Sequence, residues 1–155
     1  TLLTKLSCSG NNLSSLDVSN NPQLVTLGCA ENNLAALDLS NNLQLKELWV
    51  SNNNLTSLDV SGHEQLESFY CENNNLTLLD LADCKKLTQL VTDGTQITTL
   101  DVSGYSALTR LTCPESLVSL DMSGCTALTT FDHYGTAASP KNLATLSPTN
   151  TLGDF

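Results

Sequence analysis

The chain has 155 residues, enough for one domain. Charged residues make up only 14% against 40% hydrophobic, and sixteen acidic side chains face six basic ones for a net charge of −10. That balance excludes a phosphate-gripping nucleic-acid surface, which needs clustered Lys and Arg. It disfavours anionic membrane surfaces too, and no run is long and apolar enough to span a bilayer.

In chain order the first element is already part of a repeat. Leu6, Leu27, Leu48, Phe69, Leu90 and Leu111 recur every 21 residues, with Phe131 one residue early. Asp17, Asp38, Asp59, Asp80 and Asp101 keep the same step, and Asp121 is again one short. A period of this size marks a solenoid whose repeats bury their apolar faces only by stacking. The chain opens at Thr1 inside the first repeat, without an initiating Met or a polar capping unit. Stacked arrays normally carry such caps, so a processed or truncated piece of a longer protein is expected.

The second repeat shows the plan. Leu24, Leu27, Cys29, Asn32, Leu34, Leu37 and Leu39 predict a short strand at Leu27–Cys29, with those two side chains inward and Thr26, Gly28 and Ala30 outward. Asn32 belongs to a column with Asn11, Asn53 and Asn74, where an inward amide can satisfy the turn backbone of its own and adjacent coils. Leu34-Ala-Ala-Leu37-Asp38-Leu39 predicts a second extended segment on the opposite wall. An Asn-rich turn follows, holding at most a short 3₁₀ or helical turn near 41–45. Thr95 replaces the ladder Asn in the fifth repeat, and one residue is missing between Cys113 and Leu117, with Pro114 in the gap. The ladder should therefore be interrupted near 95–116. Beyond Gly135 the pattern dissolves, and residues 135–155 are expected to form a cap or a linker behind a solenoid spanning 1–134.

These residues resemble the leucine-rich-repeat family, in its short irregular variety with the consensus LxxLxLxxNxLxxLDLxxNxx. Leu16-Asp-Val-Ser-Asn20, Leu37-Asp-Leu-Ser-Asn41, Leu58-Asp-Val-Ser-Gly62, Leu100-Asp-Val-Ser-Gly104 and Leu120-Asp-Met-Ser-Gly124 carry the likeness. The Cys at the second strand position, with the SGCTAL phrase, is similar to repeats in exported or surface proteins of Bacteroidetes. The resemblance implies a fold classed as α/β but dominated by β-structure. It is a right-handed solenoid of about seven coils, with a parallel sheet on the concave face. It also implies an extracellular or cell-surface bacterial binding module, and is silent on the ligand.

The chemistry-bearing columns have bland readings. The stacked Asp side chains can accept local backbone N–H groups in Asx-type turns; a row of cations is the alternative, but one Asp per repeat supplies few ligands. Cys8, Cys29, Cys71 and Cys113 share a column with Val50, Thr92 and His133, which suits a small buried side chain. Cys84 and Cys125 lie two repeats apart, about 9–10 Å at strand spacing and beyond disulfide reach. Only Cys8 and Cys29 are stacked closely enough to bridge, and free thiols are expected. A Cys113–His133 dyad, or zinc held by Cys71, Cys113 and His133, would sit in an inward column closed to substrate. No catalytic residue, metal site or cofactor is expected. The sequons at Asn12, Asn54 and Asn75 read as accidents of the repeat, since glycans on consecutive coils would crowd.

The outward face of the first strand remains. Its columns run Lys5, Thr26, Glu47, Ser68, Gln89, Arg110; then Ser7, Gly28, Trp49, Tyr70, Val91, Thr112; then Ser9, Ala30, Ser51, Glu72, Asp93, Pro114. In a chain with 5% aromatics, the only Trp stacks beside a Tyr, with acidic groups around them. An aromatic cluster rimmed by polar groups is the composition of a binding hot spot. Trp49, Tyr70 and Val91 are the expected centre, with Glu47, Glu72, Gln89, Asp93 and Arg110 setting specificity. The expected partner is a protein or peptide, with a basic face favoured by the chain's acidity. A glycan is the second choice, and a spacer without a ligand the third.

Overall fold

A computed structural model describes residues 2–133. The cap or linker expected over 135–155 lies outside the described residues, as does the end of the solenoid at 134. Nine short strands form: β1 (Lys5–Ser7), β2 (Thr26–Gly28), β3 (Glu47–Trp49), β4 (Ser68–Tyr70), β5 (Gln89–Val91), β6 (Thr99–Asp101), β7 (Arg110–Cys113), β8 (Ser119–Asp121) and β9 (Thr130–His133). Seven of them build one parallel sheet in the order β1-β2-β3-β4-β5-β7-β9. Pairing is in register at the repeat length, Leu6 with Leu27, Leu27 with Leu48, Leu48 with Phe69, so every column of the sequence is a column in space. The one-residue deletion is absorbed before β9, where Leu111 pairs with Phe131.

The opposite wall is extended, as its Leu spacing predicts, but it makes a regular two-stranded sheet only in the fifth and sixth coils, between β6 and β8. No helix forms among the described residues. The return turn at 39–45 instead consists of two successive i→i+3 turns, Asn42 N donating to Leu39 O and Leu45 N to Asn42 O.

Between the walls the inward side chains fill a continuous core. Leu24, Leu45, Leu66, Leu87 and Leu108 form one fully buried column and Leu27, Leu48, Phe69, Leu90 and Leu111 another. Burying such a side chain contributes roughly 1.5–3 kcal/mol, and each is covered from both sides by its counterparts in adjacent coils. The first coil lacks one such neighbour in the described residues, and Leu6, Cys8, Leu13 and Leu16 are only partly buried.

The corner after each of β1 to β5 holds a left-handed residue. Gly10 and Gly94 supply it at φ 70° and 66°, while Glu31, Asn52 and Asn73 adopt 54°. Asn tolerates this region and Glu does so at a cost.

Candidate functional site

Two hydrogen-bond ladders fix the sheet face. In the first, each Asn amide closes its own corner and stitches it to the preceding coil. Asn53 Nδ2 donates to Val50 O and Cys29 O at 3.0 Å and to Ser51 O at 3.3 Å, and its Oδ1 accepts from Leu34 N at 3.0 Å. Asn32 and Asn74 repeat the arrangement. At Thr95 only one of these bonds survives, the hydroxyl donating to Thr92 O at 2.7 Å. The ladder is interrupted where the substitution lies, and Ser116 bridges the next gap by donating to Ile97 O at 2.7 Å.

The second ladder runs along the return turns and has no single residue type. Asn42 donates to Val18 O at 3.1 Å, Cys84 to Val60 O at 3.7 Å and Cys125 to Val102 O at 3.1 Å, while the Tyr105 hydroxyl donates to Leu81 O. His63 occupies the same column, 1% exposed, with Nδ1 against Ser61 O at 3.1 Å and no partner for Nε2. It lines a cleft of about 170 Å³ with Asp38, Asp59, Ser40 and Ser61. Sequence reasoning missed this column because Asn, His, Cys and Tyr share no hydropathy; what Asn42, Cys84, Tyr105 and Cys125 have in common is a side-chain donor that reaches a carbonyl of the preceding coil.

Each Asp of the stacked column makes the Asx turn expected of it. Oδ1 of Asp17, Asp38, Asp59, Asp80, Asp101 and Asp121 accepts the amide two residues on, at 2.8–3.0 Å. These bonds hold four of the carboxyls below the ordinary value. The Ser19 hydroxyl leads at Asp17, and the backbone amides of Ser40, Ser61 and Ser103 lead at Asp38, Asp59 and Asp101. No group of three or more His, Cys, Asp or Glu among the described residues is arranged to hold a metal ion.

Cys8, Cys29, Cys71, Cys84 and Cys113 are unpaired thiols. Burial pushes Cys29 and Cys113 up to about 12 and Cys84 to about 11, and raises Cys71 further. Cys113 and His133 do meet, paired across β7 and β9. A fully buried thiol with so high a pKa is a poor nucleophile.

On the concave face the sheet brings Trp49 and Tyr70 together directly. Their ring centroids lie 6.4 Å apart with planes inclined at 46°, both rings half-buried. Trp49 lies against Gly28, where an added Cβ would meet the indole at 3.5 Å, an ordinary van der Waals contact. The Tyr70 hydroxyl donates to Gln89 Oε1. Val91 continues the row but is only 6% exposed. Glu47 Oε2 accepts from the Thr26 hydroxyl at 3.1 Å and Asp93 Oδ1 from the Thr112 hydroxyl at 2.7 Å. Glu72 has one oxygen, Oε2, buried without a partner. Arg110 is exposed at the far side of β5. Among the described residues the only ion pair is Lys46–Glu67 at 3.0 Å, so none of their cations pairs with Glu47, Glu72 or Asp93.

The repeat spacing, the in-register parallel sheet and the Asn ladder define a leucine-rich-repeat solenoid, and the Leucine Rich Repeat family model matches residues 44–64. The chain belongs to the leucine-rich-repeat family. It is similar to the functional domain of InlJ from Listeria monocytogenes, which includes a cysteine ladder: identity is 37% and TM-score 0.66, over 82% of this chain and 26% of that one. It shares its fold with a leucine-rich-repeat protein of Leptospira interrogans at 22% identity and TM-score 0.75, over 84% and 37% of the two chains. An internalin, InlF, from Listeria monocytogenes matches at 18% identity and TM-score 0.68, over 81% and 40%. The chain thus spans about a quarter to two fifths of the length of these structures. No curated protein sequence matches it.

Proposed function

We propose that this chain is a non-catalytic protein- or peptide-binding module of an exported or surface-attached bacterial protein, with the ligand held on the concave sheet face. Stacked repeats create extended concave surfaces suited to this use. The observation that carries the reading is the Trp49–Tyr70 pair at 6.4 Å, amid carboxylates that no cation of the described chain neutralises. Gln89, bonded to Tyr70, and Arg110 extend the surface. The bacterial proteins of similar fold are consistent with an exported setting, and no described helix is long and apolar enough to cross a membrane. A rigid preformed surface of this sign would favour a partner with a basic face and a faster encounter at low salt. The 46° tilt between the rings gives a sugar no flat platform, so carbohydrate stands second.

The test is capture from extracellular and mucosal extracts by the wild type and by a Trp49→Ala/Tyr70→Ala variant whose fold is verified by circular dichroism. A partner retained only by the wild type supports the face. Equal capture by both moves the site elsewhere, and capture by neither makes the segment a spacer.

A further inference from the structure

Glycine follows Asp or Asn at one place in the chain, Asp93-Gly94, and that pair forms the corner after β5. In the four earlier corners the left-handed residue gives its amide to the next coil. Gly10 N donates to Ala30 O at 3.0 Å, Glu31 N to Ser51 O at 2.8 Å, and Asn52 N and Asn73 N to Glu72 O and Asp93 O at 2.9 Å. The same step from Gly94 leads to Pro114. With one residue missing between Cys113 and Leu117, that carbonyl belongs to a tighter turn. Pro114 O accepts from Leu117 N at 3.2 Å, and Gly94 N has no acceptor among the described residues. Gly94 is exposed and Asp93 half-buried, its Oδ1 accepting from the Thr112 hydroxyl at 2.7 Å.

An Asp carboxyl carbon and the next amide nitrogen are neighbours by covalent connection. A bulky following residue and a hydrogen-bonded amide ordinarily keep them from reacting, and this corner has neither. The glycine is also held in place. A Cβ there would lie 2.1 Å from Asn73 Oδ1 and 3.2 Å from Asn73 Cα, at a φ of +66°.

We propose that Asp93-Gly94 is a self-modification site, where the folded chain converts aspartate to isoaspartate with water as the only co-reactant. The Gly94 nitrogen attacks Cγ of the protonated Asp93 carboxyl. An N–Cγ bond forms, and one carboxyl oxygen leaves as water with the carboxyl proton and the amide proton, closing a succinimide. Water then opens the ring at either carbonyl. Breaking the N–Cγ bond returns aspartate. Breaking the bond from nitrogen to the Asp93 backbone carbonyl carbon leaves the main chain running through Cβ and Cγ, with the old carbonyl carbon as a free carboxylate. One water is lost and one regained, and nothing is oxidised or reduced. The product lengthens the main chain at a corner whose carbonyl accepts from Asn73 N. It also moves a carboxylate of the concave face, which therefore carries its own clock whatever ligand it holds.

The experiment incubates the folded chain in warm, mildly acidic heavy-oxygen water and reads each aspartate by peptide mass spectrometry. Every opening of the ring leaves a heavy oxygen at its residue, and electron-driven fragmentation separates isoaspartate from aspartate. Asp93 should gain label and isoaspartate steadily, while Asp59 and Asp101, each followed by Val, stay at background. Inserting one Asn between Glu115 and Ser116 restores the repeat length and gives the sixth coil its ladder residue. With Pro114 O returned to Gly94 N, labelling of Asp93 should fall roughly fivefold, the worth of one ordinary hydrogen bond. Asp93→Glu, which would have to close a larger ring, should abolish the reaction there. Labelling of Asp93 no faster than of Asp59, or label that survives Asp93→Glu, would overturn the proposal. Equal rates in the wild type and a folded insertion variant would overturn it too. So would a wild-type rate that climbs in sub-denaturing urea in step with the unfolded fraction, a readout that needs no variant, since the reaction would then belong to the unfolded chain.

Discussion

Asn53 does the work of four hydrogen bonds in a site only 7% exposed. Replacing it with Ala leaves the amide of Leu34 and the carbonyls of Cys29, Val50 and Ser51 short of a partner. The expected cost is about 2–4 kcal/mol, from a penalty of about 1–3 kcal/mol per buried group left unmet and some rescue by water; the midpoint of urea unfolding measures it. Glu31 is the opposite case, holding φ at 54° where its counterparts are Gly or Asn. Glu31→Asn should stabilise the fold by about 1 kcal/mol, since left-handed backbone costs an ordinary side chain about that much. The thiols supply a third check. Cys8 is partly exposed while the other five are buried, so a charged disulfide reagent should label Cys8 alone in the native protein and all six after denaturation.

At the scale of one coil, the sequence was most readable where a column repeats one residue type. Leu and Asn columns announced strand, corner and register, and the structure places them so. The return-turn ladder stayed hidden because its column changes identity from Asn42 to His63, Cys84 and Tyr105. The outward columns were legible as a face, but their depth was not. Thr26, Gly28, Ser51, Val91 and Thr112 all point outward by alternation yet are buried, because neighbouring coils and the Trp49 ring cover them. The weak coil follows from the same logic. The amides of Leu13, Leu34 and Leu55 each donate to a ladder Asn, and Thr95 has no carbonyl to offer the next position, Leu76. Thr95→Asn should restore the ladder and raise stability by about 1 kcal/mol, the usual net worth of a buried hydrogen bond. No gain in the unfolding midpoint would mean that the fifth corner has relaxed away from the geometry the amide needs.

For the molecule as a whole, the Asp column ties stability to acidity. Asp17, Asp38, Asp59 and Asp101 titrate below the ordinary value of 3.8 when folded, so their contribution is full above that value and is lost as the pH falls from there through their lowered folded values. Neighbouring carboxylates oppose the effect at Asp38 without reversing it. Replacing Asp38, Asp59 and Asp101 together with Asn keeps an acceptor for each Asx turn and removes the proton. Thermal melts between pH 3 and 7 should then show a shallower acid limb than the wild type.

The register of the sheet has a consequence for how such a chain can change. Gly28, Trp49 and Tyr70 sit side by side only because consecutive coils are stacked without offset. Excising residues 44–64, one whole period, would leave each inward column and each turn with a suitable neighbour, yet would set Tyr70 directly against Gly28 and remove Trp49 from the face. Loss or duplication of a coil is therefore a conservative edit for the interior and a radical one for the exterior. Heredity can reorder what this surface displays in blocks, much as type is reset line by line, while the frame that carries it stays the same.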